Sequence, residues 1–70
     1  MTPTVGRVVH YHRPGVLGAA PLAALVTAAD GTDRVSLVAF DPVATRGLWV
    51  SAVPFAENPT PGCWNWPPRN

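Results

Sequence analysis

The sequence predicts an all-β fold: one domain over residues 1–70, folded as a small five-stranded SH3-like or OB-like partly open barrel and assembled as a homo-oligomer. Three observations carry the β assignment. Short apolar, β-branched stretches recur between Gly, Pro and Asp punctuation, which is the rhythm of short strands and tight connections. "DGTD" stands between "LVTAA" and "RVSLVAF", a hairpin signal in which Gly31 supplies the positive φ that a turn requires. Within the stretches, residues of like character alternate in period two, so each strand has two distinct faces.

The first strand is read over Val5–His12 ("VGRVVHYH") and stops at "RPG", where Pro14 and Gly15 mark a turn. After the "GVLGAAP" connection, Leu22–Ala29 is the second strand. Its Ala and Leu content suits a helix by propensity, but its short length and the Asp30-Gly31 boundary favour a strand. The third runs Arg34–Phe40, with Val35, Leu37 and Ala39 on one face and Ser36, Val38 and Phe40 on the other. "DPVATRG" reads as a loop or one short helical turn. "LWVSAVPF" is the fourth strand, ended by Pro54, which cannot donate to a sheet ladder. "AENPTPG" is a loop, and "CWNW" is a short fifth strand stopped by Pro67 and Pro68. The terminal segments "TPTVG" and "PPRN" are expected to pack on the barrel or on a neighbouring subunit, since ends fray unless held.

Oligomerisation follows from size and composition. A chain of 70 residues buries only about 60% of its unfolded surface and needs help from disulfides, metal or other subunits. Cys63 is the one cysteine, and two histidines and four carboxylates are a thin metal-ligand set. The 47% hydrophobic content against 13% charged residues leaves apolar surface for a subunit interface. The free thiol fits a reducing compartment. "MTPTVGR" lacks a charged region followed by an apolar stretch, and no apolar run reaches the roughly 20 residues of a membrane helix. The expectation is a soluble, cytoplasmic protein with no membrane partner.

A net charge of +1 is too weak a field to bind long nucleic acid through counterion release. All five cations are arginines (Arg7, Arg13, Arg34, Arg46 and Arg69) and there is no lysine. The planar guanidinium suits phosphate and carboxylate, although a GC-rich genome produces the same bias. Catalytic constellations are mostly absent. Cys63 with His10 or His12 has the composition of a nucleophile and base, yet free cysteines are mostly structural. "HYH" puts His10 and His12 on one strand face at a spacing that can hold a metal, but no third ligand of matching character accompanies them. No phosphate loop, glycine fingerprint or carboxylate pair is present. The reading is a binding protein, not an enzyme, with no cofactor and no metal.

Binding chemistry concentrates at the two ends. In "RVVHYHR", Arg7, Val9, Tyr11 and Arg13 share one face, and Val8, His10 and His12 the other. Trp64 and Trp66 share a face, with Cys63 and Asn65 opposite. If the first and last strands are neighbours, the tryptophan face meets the one carrying Tyr11 and two arginines. The candidate ligand-binding residues are therefore Arg7, His10, Tyr11, His12, Arg13, Asn65 and Trp66. Trp66, Tyr11 and Arg13 are expected to line the site, with Trp64 mainly in the core. The competing reading makes both tryptophans a hydrophobic plug.

"PTVGRVVHY", the central "ALVTA" strand ending at an acidic turn, and "PGCWNWPPR" together resemble a family of small phage proteins that open on PTVGRIVHY and close on GTWHWPER or similar. The likeness spans nearly the whole chain in layout, and its two end motifs are the specific part. Asn65 stands where the family often has histidine, and Cys63 where it often has threonine. The resemblance implies a viral protein working in the host-cell cytoplasm, where small phage proteins without catalytic residues mostly act by binding. One such class is the cyclic nucleotide sponge, an oligomer that sequesters the nucleotide signals of bacterial immunity. An anti-defence sponge is the expected function, with a minor virion or host-protein-binding module as the alternative.

Overall fold

A computed structural model describes residues 2–14 and 20–68, which form five strands: Val8–Tyr11 (β1), Leu22–Ala29 (β2), Val35–Asp41 (β3), Arg46–Val53 (β4) and Trp64–Asn65 (β5). They join in one sheet ordered β4-β3-β2-β1-β5, with every strand pair antiparallel. The sheet curls into a half-barrel, and no helix occurs among the described residues. Most of the expected connection over 15–21 and the final Arg69 and Asn70 fall outside the described residues.

Expected and observed strand limits differ where turn chemistry competes with the ladder. Residues 5–7 form a turn rather than the start of β1. Gly6 has φ +92° and Arg7 N–H donates to Thr4 O (3.2 Å), yet Gly6 N–H still reaches Val26 O (2.9 Å) and holds the segment against β2. Pro3 is fully buried, so this terminal segment does pack on the sheet. β4 begins at Arg46 because the expected loop "DPVATRG" is a short turn over residues 42–45 between paired Asp41 and Arg46. Asp41 caps it by accepting from Val43 N–H (3.0 Å) and Ala44 N–H (3.2 Å). Pro54 ends β4 as expected. The Asp30–Arg34 turn has Gly31 at φ +92°, and Asp30 Oδ1 accepts from both the amide and the hydroxyl of Thr32.

The concave face is the core. Val9, Tyr11, Ala24, Val26, Leu37 and Ala39 point into it and are buried together with Trp64. Curvature comes from two bulges that face each other across β3. Between Leu37 and Val35 the sole intervening residue is Ser36, but β2 spends two residues (Thr27 and Ala28) between Val26 and Ala29, and β4 spends two (Ser51 and Ala52) between Val50 and Val53. An extra residue in a strand bends it and increases its twist, so two at one level crease the sheet. The crease brings the segment after β4 to β5. There Trp64 N–H donates to Pro54 O (3.0 Å), Ala56 N–H donates to Trp64 O (3.0 Å), and Phe55 and Trp64 bridge in parallel.

Candidate functional site

The expected site residues lie at three places. At the start of β1, Arg7 lies over the Trp66 ring, 5.6 Å from its centroid, within the range of a cation–π contact. Trp66 is half-buried and meets Trp64 edge-on at 5.1 Å. Trp64 is the plug of the core: 1% exposed, edge-on to Phe55 at 5.0 Å, with its indole N–H donating to Asp33 O (2.8 Å). That bond ties β5 to the β2–β3 turn and satisfies the polar atom that makes tryptophan costly to bury.

On the convex side of the β1–β5 pair stand His10, His12 and Asn65. His10 is the register partner of Asn65, and His12 Nε2 and Asn65 Oδ1 are hydrogen-bonded at 3.0 Å. This bond links the segment after β1 to β5. Among the described residues no group of His, Cys, Asp and Glu is arranged to hold a metal ion.

The third place is an open cleft of about 420 Å³ at the far end of β1, lined by Tyr11, Arg13, Asp41, Arg46, Leu48 and Trp49 among others. Arg13 pairs with Asp41. Hydrogen bonds from Ala44 and Val43, then the Arg13 guanidinium, hold the Asp41 carboxyl below its usual value. Asp41 is thus committed to the turn and to Arg13. Arg13 Nε is shielded from solvent and, among the described residues, has no hydrogen-bond partner, and Arg46 forms no ion pair with them. Two guanidiniums lining one cleft can hold an anionic group by charge-assisted hydrogen bonds.

Tyr11 differs from expectation: it is 5% exposed, and its ring belongs to the core rather than to an open site. Burial, and next the nearby Cys63, raise its hydroxyl pKa above the usual tyrosine value. The cause of the misplacement is geometric. Period two says which residues share a face, and the face of Val9, Tyr11 and Trp64 is the concave one. Nor do Trp66 and Arg13 meet. Arg7 and Arg13 are six residues apart on one strand direction, roughly 20 Å at about 3.3 Å per residue, and Trp66 is at the Arg7 end. Asp41, Arg46 and Trp49 were not anticipated. For Trp49 the signal was the alternation in "RGLWVSAV", which sets it opposite inward-facing Leu48 and Val50.

No family model, curated protein or solved structure matches the chain.

Proposed function

We propose that the protein is a small phage-type binding protein that works as a homo-oligomer in the host cytoplasm and sequesters a cyclic nucleotide signal of host defence, returning it chemically unchanged. The observation that carries this reading is the cleft at the end of β1 that Arg13 and Arg46 line together over the buried Tyr11. A guanidinium binds phosphate bidentately. The strand order, a β1–β4 meander with β5 returning beside β1, fits the SH3-like form of barrel better than the OB-like one.

A second reading, a module that binds a virion or host protein, is favoured by the exposed aromatic side chains of the convex face, Trp49 and Phe40. One experiment separates the two. The protein is incubated with a panel of cyclic di- and trinucleotides and cyclic ADP-ribose isomers, and depletion from solution is measured. Sequestration gives depletion of at least one compound and release of the intact molecule on heating. Altered product would mean an enzyme, and no depletion across the panel would leave the protein-binding reading. Arg46→Ala, at an exposed residue without an ion pair among the described residues, is expected to weaken retention by about 1–3 kcal/mol, the usual value of a charged hydrogen bond, with the fold intact.

A further inference from the structure

We infer that the convex face of the sheet is the surface through which a second copy of this chain docks. This rests on the homo-oligomeric part of the reading above and names its interface. The register places Val8 beside Leu25, Leu25 beside Val38, and Val38 beside Trp49, so one apolar row crosses four strands on the side away from the core. Trp49 is 78% exposed and Val8 59%, and Phe40, 49% exposed, adds a second ring in the next row. At 150–250 Å² per aromatic side chain, Phe40 and Trp49 alone leave roughly 300 Å² of ring open. A monomer's largest apolar patch is about 300–600 Å², and with Val8 and Leu25 this row falls within that range. A stable interface uses about 800 Å² per partner, a modest share of the chain's 4624 Å².

Charge selects the occupant. The row and its neighbour, from Asn65 and His10 to Phe40 and Gly47, contain no Asp, Glu, Lys or Arg. A two-fold interface sets a patch against itself, so a charged patch repels its copy and an uncharged apolar one does not. Set against its own copy, such a surface leaves no charge buried and unpaired. The row is also closely packed between β3 and β4. Val38 fills the space beside Gly47, where an added Cβ would come within 2.9 Å of Val38 Cγ2, and its own exposure is low.

The test is mass against concentration by light scattering, for the parent chain and for Trp49→Arg and Val8→Arg. Both substitutions are at solvent-exposed positions, and circular dichroism checks that the β-sheet persists. The parent is expected at twice the 7.4 kDa chain mass or more at micromolar concentration, and each arginine variant at the single-chain mass. Acrylamide quenching, dominated by Trp49 in a free chain, should rise as the parent is diluted. A parent at 7.4 kDa at every concentration overturns the inference together with the oligomeric reading. A multimer that survives both variants overturns the inference alone and leaves the oligomer to another surface. Failure of the nucleotide panel alongside a Trp49-dependent multimer leaves the inference standing and removes the sponge.

Discussion

Trp64 and Trp49 obey the same period-two rule on opposite faces of one sheet, and their fates differ completely. Trp64 is enclosed, its indole N–H satisfied by the Asp33 carbonyl and its ring wedged between Phe55 and Trp66. Trp49 stands 78% exposed beside an apolar row with nothing of its own chain above it. The concave face is closed by curvature, because the bulges fold β4 and its continuation toward β5. The convex face gains no cover from the same bend. Curling a sheet this small therefore hides one apolar face at the cost of presenting the other.

Substitution at the two tryptophans should break the comparison most visibly. Trp64→Ala is expected to cost about 3–5 kcal/mol, the usual penalty for emptying an aromatic core site, and to lower the thermal midpoint sharply. Trp49→Ala should change the stability of the dissociated chain by no more than about 0.5 kcal/mol, as surface changes do. Urea melts of both variants, run dilute enough to be monomeric, measure the contrast. Similar losses in the two would mean that the convex face is structural too.

Titration sharpens the same contrast from inside the core. Tyr11 is neutral in the fold and its pKa is raised by burial, so the unfolded chain ionises first. Its contribution is complete below pH about 10 and declines as pH rises from there toward the raised value. Tyr11→Phe should remove that alkaline loss, read as the midpoint temperature against pH. The carboxylates behave in the opposite sense. Asp30, held low by its hydrogen bonds from Thr32, and Asp41, held low by Ala44, Val43 and Arg13, stabilise above the ordinary aspartate pKa of about 4 and lose that effect as pH falls below it. Asp41→Asn should flatten the acid limb of the same curve. A gain in place of a loss is expected at Ala52, whose φ of 55° is unusual for a residue with a Cβ. Ala52→Gly relieves that strain and should raise stability by up to about 1 kcal/mol.

What the sequence disclosed follows the same division between local and tertiary causes. Five strands, the Asp30-Gly31 turn and the Pro54 stop were legible because each depends on a local preference. β2 was legible as Leu22–Ala29 to the residue. The bulges were not, since Thr27, Ser51 and Ala52 carry no Gly or Pro to announce them. For the site, pairing of the first and last strands could be posed only as a condition, and the ladder joins Tyr11 to Trp64. Which face became concave was beyond local preference, so Tyr11 was read as open and Trp49 was passed over. His12 was placed on a face with His10, and Asn65 opposite the tryptophans, but the hydrogen bond between His12 and Asn65 spans fifty-three positions that no local signal connects.

The two bulges also write curvature into chain length. Ahead of each, inward positions fall on even numbers, at Val26 and Val50; beyond it they fall on odd ones, at Ala29 and Val53. Removing one residue at either point would restore an unbroken alternation with the same side chains still facing inward. Such a deletion would leave the inventory of the core unchanged and flatten the sheet around it. At these two places a relative of this chain could therefore gain or lose a single residue and change the shape of its hollow without altering what fills it, a route by which one core could serve ligands or partners of different breadth.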